Sequence, residues 1–306
     1  MSDPQADEQA TARADAWVAA MPAVFVLIWS TGFVVARLGM PHAPPFGFLA
    51  WRYALSALLF LAWVGLARAA WPRGGAQWGH LAVTGMLMHG GYLGGVWAAV
   101  KGGLGAGTAA LIVGLQPLLT ALWVSLQGPG HRIGPRHWLG LLLGLAGLVL
   151  VVLHRLGSGQ ATVANIALAV GALASITAGT LYQKGRVAPC DVRSAAVVQL
   201  TAAFVVTAPL ALLESEPIVW HPDLQMAMAW SVVALTLGAS SLLYLLIQRG
   251  AATRVSSLMY LVPPCTSVLA WLMFDEPITA TVVGGMVLTA VGVGLVLHQP
   301  GARQGR

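Results

Sequence analysis

The chain has 306 residues, of which 58% are hydrophobic and only 8% are charged. Soluble domains carry about 25% charged residues, so this composition excludes a soluble fold. The formal net charge of +6 comes from basic residues scattered over short polar segments. Such a distribution indicates membrane topology and argues against a nucleic-acid partner.

Uncharged apolar stretches of about 18 or more residues are typical of membrane helices. We place ten along the chain and predict an all-α integral membrane protein, because a backbone in lipid must satisfy its own hydrogen bonds. The fifth stretch is short for a full span. The ten predicted spans are residues 17–36, 46–66, 78–99, 104–126, 138–153, 163–183, 194–213, 227–247, 252–273 and 278–298.

The two ends of the chain are polar. Residues 1–16 carry four carboxylates and lack the leading positive charge of a signal peptide, so we expect a disordered cytoplasmic tail there, with a second tail over 299–306. With the N-terminus inside, cytoplasmic segments hold twelve basic residues and external segments hold three, which are Arg37, Lys101 and Arg155. The positive-inside rule therefore predicts a multi-pass inner (plasma) membrane protein with both termini in the cytoplasm.

The sequence has an internal repeat of two copies, at an offset of about 147 residues. Residues 97–103 correspond to residues 244–250, and the copies cover 17–153 and 163–298. Five spans per copy is an odd number, which forces the second copy to run inverted relative to the first. Inverted repeats place a site near the bilayer midplane, with two bundles that rock around it. We therefore expect a carrier that works by alternating access around a central cavity.

Arg52 lies about two turns into the second predicted span. An arginine at membrane depth costs at least ~2.5 kcal/mol, so it usually faces the bundle interior or a water-filled cavity. Its guanidinium fork could hold a carboxylate of a substrate bidentately, or it could only lock helices together. The corresponding position in the second copy is Gln199, so the cavity would be charged on one side only.

Further polar and aromatic side chains complete the predicted substrate cavity. Ser30 offers a hydroxyl, although a bond to the preceding helical turn would explain it equally well. His89 and Tyr92 are three residues apart and share a helix face. Trp97 and its repeat counterpart Tyr244 could line the cavity or belong to an interfacial aromatic belt. The predicted cavity comprises Trp29, Ser30, Arg52, His89, Tyr92, Trp97, Gln116, Tyr182, Gln199 and Tyr244.

Pro117 and Pro263 lie inside the fourth and ninth predicted spans, at nearly matching positions of the two copies. Proline frees a carbonyl one turn earlier and kinks a helix. We predict that they are hinges or gates; kinks that serve packing alone would look the same in one helix.

No Asp or Glu falls within the core of a predicted span, and no nucleotide-binding, nucleophile-elbow or zinc-protease motif is present. We therefore predict neither an enzyme nor a cofactor or metal site, with a small-molecule substrate and the lipid bilayer as partners and a monomer or homodimer as the assembly. Two alternatives stay open. A membrane-embedded enzyme would depend on the external cluster Glu214, Glu216, His221 and Asp223, and a channel or scaffold needs no such site.

Four segments carry a family resemblance. They are Trp29 to Phe33 ahead of Arg37, Arg52-Tyr53, Gln116-Pro117, and Pro263 to Glu276 followed by Gly284-Gly285. In this order and spacing the sequence resembles the drug/metabolite transporter superfamily, in its ten-span EamA-type branch, over about residues 17–298.

The resemblance implies a carrier with both termini in the cytoplasm, usually an exporter of amino acids or other small metabolites. Within the branch the chain resembles the aromatic amino-acid exporters. The family has a Glu after the fourth and after the ninth span. Glu276 matches the second of these, whereas Gly130 occupies the first, so the role of that carboxylate exists in one copy only.

Overall fold

A computed structural model describes residues 4–126, 135–239, 241–242 and 259–297. Every regular element in these residues is helical. The elements are α1 Pro4–Gly39, α2 Pro45–Ala67, α3 Gly75–Gly85, the π-helix π1 Met86–Gly91, α4 Tyr92–Lys101, α5 Ala106–Val113, α6 Gln116–Leu126, α7 Pro135–Gly157, α8 Val163–Arg186, α9 Val192–Leu212, α10 Pro222–Trp230, the π-helix π2 Ser231–Ala239, a 3-10 turn Met259–Leu261, α11 Val262–Phe274 and α12 Ala280–Leu297.

The helices are those of a membrane protein. Six stretches within the described residues are long and apolar enough to cross a bilayer, and two shorter apolar stretches accompany them. The six are Ala20–Gly39, Pro45–Ala67, Ala106–Trp123, Trp138–Gly157, Val163–Arg186 and Val192–Leu212; the shorter two are Met259–Phe274 and Ala280–Val296. The predicted all-helical membrane class is confirmed, while the count of ten spans stays a prediction. The fifth span is longer than predicted, because its helix continues past Leu153 to Gly157.

The N-terminal segment differs from its prediction. α1 begins at Pro4 and runs without interruption into the first span, so the described part of residues 1–16 is helical where we predicted disorder. Alanine, the strongest helix former, recurs at Ala6, Ala10, Ala12 and Ala14, and the segment needs no new nucleus because it extends an existing helix.

Four of the predicted spans are not uniform helices within the described residues, one of them the ninth, where the 3-10 turn precedes α11. π1 separates α3 from α4 in the third, and π2 continues α10 in the eighth. The fourth is broken at 114–115, between α5 and α6. π-Helical turns carry an extra residue and occur frequently at functional sites. These interruptions therefore point to the inner faces of the third and eighth spans.

Glycine allows the closest helix contacts. α7 packs along α12, where a Cβ on Gly285 would lie 2.7 Å from the carbonyl oxygen of Gly147. α3 crosses α9 at Gly85, whose missing side chain admits the backbone of Gln199. In lipid such close approach is what drives helix association, so these glycines hold the bundle together.

Candidate substrate cavity

Arg52 projects from α2 into the interior, with 7% of its surface exposed. Its Nε and Nη2 donate to Thr236 Oγ1 of π2, at 3.4 and 3.3 Å. Both bonds are long, and Thr236 Oγ1 itself donates to the Ser231 carbonyl at 2.8 Å. No carboxylate in the described part of the chain pairs with Arg52. A buried cation is thus held by a neutral hydroxyl, although a guanidinium has five N–H donors.

Three neighbours surround this guanidinium. Its charge acts on Tyr53, Tyr92 and His89. The Tyr53 hydroxyl donates to the His89 carbonyl at 2.8 Å, and the two rings meet edge to face with centroids 6.0 Å apart. The side chain of Gln199 of α9 is a polar neighbour of His89, and both residues line the same cavity. The structure therefore brings together four residues of the predicted cavity: Arg52, His89, Tyr92 and Gln199.

The two polar contacts are equivalent under the sequence repeat. Gln199 lies 147 residues after Arg52, and Thr236 lies 147 residues after His89. The Arg52–Thr236 contact and the Gln199–His89 contact therefore join the same two positions, taken from opposite copies. Thr236 and Tyr53 are absent from the predicted cavity. The offset alone, applied to His89, identifies Thr236.

A cavity of about 390 Å³ borders this cluster. His89, Gln199 and Thr236 line its inner end, and Arg52 lies directly behind Thr236. Its outer end is lined by exposed residues of the connection between α8 and α9, which we call the mouth. The lining residues are Phe60, Leu81, His89, Gln183, Lys184, Val187, Ala188, Pro189, Cys190, Val192, Ala195, Ala196, Gln199, Leu200 and Thr236.

Side-chain hydrogen bonds order the mouth. The Gln77 amide donates to the Ala188 carbonyl at 2.8 Å and accepts from the Ala188 N–H at 3.1 Å, which ties α3 to the connection. Asp191 caps α9 by accepting from the Arg193 N–H, at 2.9 Å. Hydrogen bonds from the Arg193 guanidinium hold the pKa of the Asp191 carboxyl below its usual range, so this cap stays ionised at neutral pH.

Carboxylates join helices at the opposite end of the bundle, which we call the closed end because of these links. Glu214 accepts from the N–H groups of Phe46 and Gly47 at 3.0 and 2.8 Å, and so caps α2. Glu276 accepts from the Ala106 N–H at 3.0 Å and caps α5 in the same way. Carboxylates at helix N-termini satisfy donors that have no partner within the helix.

Ion pairs add to these links. Lys101 pairs with Glu216 at 2.6 Å and donates to the Met40 carbonyl at 2.9 Å. Arg37 lies 4.0 Å from Glu276. A second cavity, of about 280 Å³ and lined in part by Arg37 and Glu276, lies at this end and shares no lining residue with the cavity at Arg52. Two members of the external cluster that an enzyme would need, Glu214 and Glu216, thus have structural partners.

Trp29, Ser30 and Trp97 do not line the 390 Å³ cavity. The Ser30 hydroxyl donates to the Val26 carbonyl of its own helix at 2.7 Å. Trp97 is 1% exposed and stacks on Phe48, with ring centroids 4.3 Å apart. Its rigid apolar surface is more effectively buried in the core than placed at a wet cavity.

Gln116 and Tyr182 join helices beside the cavity. Gln116 Nε2 donates to Thr180 Oγ1 at 2.9 Å, which links α6 to α8. The Tyr182 hydroxyl lies 2.8 Å from His80 Nδ1, which links α8 to α3. Tyr244 lies outside the described residues.

Both predicted hinge prolines are the second residue of a helix. Pro117 follows the break between α5 and α6, and Pro263 follows the 3-10 turn before α11. The two interruptions touch, since a Cβ on Gly114 would lie 3.0 Å from Pro263 Cγ. Their use as hinges stays a prediction.

Comparison with known proteins identifies the family. The sequence pattern of the EamA-like transporter family matches residues 16–153 and, a second time, residues 164–298. The chain belongs to the EamA-like transporter family. It is therefore a membrane transporter by family, and this membership argues against an enzymatic role.

Relatives of this EamA-like transporter are named as transporters too. An uncharacterised transporter of Archaeoglobus fulgidus is 25% identical over 285 residues, covering 89% of this chain and 94% of the relative. The uncharacterised transporter YvbV of Bacillus subtilis is 26% identical, covering 90% of this chain and 89% of its own length. The uncharacterised inner membrane transporter YedA of Escherichia coli is 25% identical, covering 84% of this chain and 78% of its own length.

A solved crystal structure shares the fold. It is 23% identical to this EamA-like transporter, has a TM-score of 0.64, and the alignment covers 92% of this chain and 96% of the other. At this identity the likeness establishes the fold alone.

Proposed function

We propose that this EamA-like transporter is a carrier for amino acids or related small metabolites, which bind in the cavity beside Arg52. The observation that carries this proposal is the buried Arg52 guanidinium, held only by the long hydrogen bonds to Thr236 among the described residues. A substrate carboxylate offers a stronger, charge-assisted partner to the same fork. When the substrate binds, its carboxylate would replace the Thr236 hydroxyl as the acceptor for Arg52, and this stronger bond would favour binding.

The lining of the cavity suits such a substrate. Gln199 and Thr236 offer neutral polar groups near Arg52, while Phe60 and Leu81 supply apolar surface. A volume of about 390 Å³ lies within the range of about 300–1,000 Å³ of small-molecule sites. An aromatic amino acid fits this combination of an apolar wall and polar groups that lie in front of Arg52.

We further propose ten spans arranged as two inverted five-helix repeats, 17–153 and 163–298, with both termini in the cytoplasm. The double family match, the repeat-equivalent contacts at Arg52 and Gln199, and the excess of basic residues on one side support this arrangement. In this orientation the mouth faces the cytoplasm and the closed end faces outward. In this arrangement the substrate would enter the cavity from the cytoplasm, which favours export.

The test is counterflow of a labelled amino acid in proteoliposomes. Arg52→Ala should reduce counterflow about 10- to 100-fold, the cost of a lost hydrogen bond to a charged group. Arg52→Lys keeps the charge without the fork, so it should raise KM more than it lowers the maximal rate. Arg73→Ala is the matched control, because Arg73 is an exposed arginine outside the described helices.

Unchanged counterflow through folded Arg52→Ala protein would contradict the substrate role and leave Arg52 as a link between α2 and π2. A channel is the remaining alternative. The flux through a carrier saturates with substrate concentration as its binding site fills, so saturable counterflow would favour a carrier over a channel.

A further inference from the structure

Three potential metal ligands meet at the closed end. His42 lies between α1 and α2, whereas His221 and Asp223 lie at the start of α10. The Asp223 Oδ2 atom is 3.6 Å from His42 Nε2 and 3.3 Å from His221 Nδ1. All three ligand atoms lie within 4.8 Å of one another.

The two separations from Asp223 match a tetrahedral metal centre. Zinc binds imidazole nitrogen and carboxylate oxygen at about 2.0–2.2 Å, so two ligands at a tetrahedral angle lie about 3.4 Å apart. We propose that His42, His221 and Asp223 bind a divalent transition-metal ion, with Zn²⁺ favoured by the two imidazoles and one carboxylate. A fourth position is left for water.

The site is both held in place and open to solvent. The Val219 N–H donates to the His42 carbonyl at 2.8 Å, which fixes one connection against the other. The side chains of His42, His221 and Asp223 are 24%, 47% and 44% exposed, so an ion can reach them. The imidazoles stack with centroids 4.2 Å apart and must rotate apart slightly. The metal bond replaces a 3.3 Å hydrogen bond from the Asp223 N–H to His221 Nδ1, which is too long to oppose it.

The repeat does not account for this cluster. The positions 147 residues from His42 and His221 are Pro189 and Gly74, neither of which has a side chain that can ligate a metal. The site therefore belongs to one end of the molecule only. A bound ion would connect the α1–α2 and α9–α10 connections and stabilise the closed end. Given the orientation proposed above, external Zn²⁺ would then slow transport.

Binding is tested on the full-length protein in detergent, purified without a histidine tag, with Zn²⁺ alone in a calorimeter. His42→Ala and His221→Ala should each lower the affinity for Zn²⁺ at least about tenfold. Loss of a residue that only supports a metal ligand already costs about 10- to 100-fold, and these variants remove a ligand itself. His154→Ala is the matched control, since this histidine lies at the same end beside Thr279 and outside the cluster. Co²⁺ absorption should show the intense bands of tetrahedral coordination in the wild type and lose them in both variants.

Equal affinity in the wild type, His42→Ala and His221→Ala would overturn the site, whichever other residues bind the ion. Asp223→Asn preserves the volume of the side chain and removes one ligand, so weakened binding in this variant supports the site if an alanine variant fails to fold.

The effect of Zn²⁺ on transport is measured separately. Inhibition of counterflow by external Zn²⁺ should disappear in His42→Ala, and persistent inhibition there would contradict closure by the ion. The binding data stand even if no transported substrate is found.

Discussion

The contact between Arg52 and Thr236 concentrates the energetics of the candidate site in one pair. A buried cation whose acceptor is removed retains the full desolvation cost of its N–H groups. The acceptor here lies 184 residues away in sequence, on a π-helical segment. The pair therefore both positions the guanidinium and joins α2 to π2.

Thr236→Val should destabilise the protein, because valine has the shape of threonine without the hydroxyl. We expect a loss of about 1–3 kcal/mol in the free energy of unfolding, measured by thermal or denaturant unfolding in detergent. In an Arg52→Met background the same substitution should cost clearly less, since no guanidinium is left without an acceptor. A double-mutant cycle isolates this coupling from the lost Thr236–Ser231 bond, and additive effects would contradict the importance of the pair.

At the scale of elements, the π-helical segments contribute residues to the site, whereas the regular helices α7 and α12 support the bundle around it. π1 and π2 carry His89 and Thr236, at positions that the repeat makes equivalent. The extra residue of a π-turn shifts the register of the side chains, and this register directs both residues to the same cluster. The pair α7 and α12 contributes no residue to the cavity at Arg52. Its role is a rigid support through close glycine contacts.

Gly285→Leu should disrupt this support. A side chain at Gly285 meets the carbonyl of Gly147, and backbone cannot move aside as a flexible side chain can. Overpacking of this kind costs about 1–3 kcal/mol or more, so the melting temperature should fall. Gly294→Leu is the matched control on the same helix, because a Cβ there meets nothing within 4 Å. Equal melting temperatures for the two variants would show that the helices separate without cost.

At the scale of the whole molecule, the two ends differ in chemistry. The mouth has an open cavity, whereas at the closed end Glu214 and Glu276 cap α2 and α5. The repeat counterpart of Glu276 is close to Gly130, so the mouth end lacks that carboxylate. Asp191 caps only the helix that follows it, whereas Glu214 and Glu276 each cap a helix distant in sequence and so join separate elements at the closed end.

The proposed orientation predicts the sidedness of labelling. Cys190 lines the mouth and is partly exposed, so in a Cys265→Ala background a membrane-impermeant maleimide should label it in inside-out vesicles. Ser158→Cys, an exposed position beyond α7 at the closed end, should be labelled in right-side-out vesicles instead. Labelling of Cys190 from the outside would invert the topology, and with it the proposed direction of transport.

The sequence by itself determined the all-helical membrane class, most of the helix positions within the described residues and the burial of Arg52. These depend on hydrophobicity and charge summed over short windows, which local sequence carries in full. Arg52, His89, Tyr92 and Gln199 are found together because burial of polar side chains in a membrane requires a shared cavity.

Only the tertiary structure decided the rest. Thr236 as the partner of Arg52, Trp97 as core and Glu214 as a helix cap all depend on contacts between helices far apart in sequence. An aromatic or a carboxylate has the same local pattern whether it faces a substrate, a neighbouring helix or an unpaired N–H group. Which of these it meets is set by how the helices cross, and glycines such as Gly85 fix that crossing through backbone contacts that residue patterns do not encode.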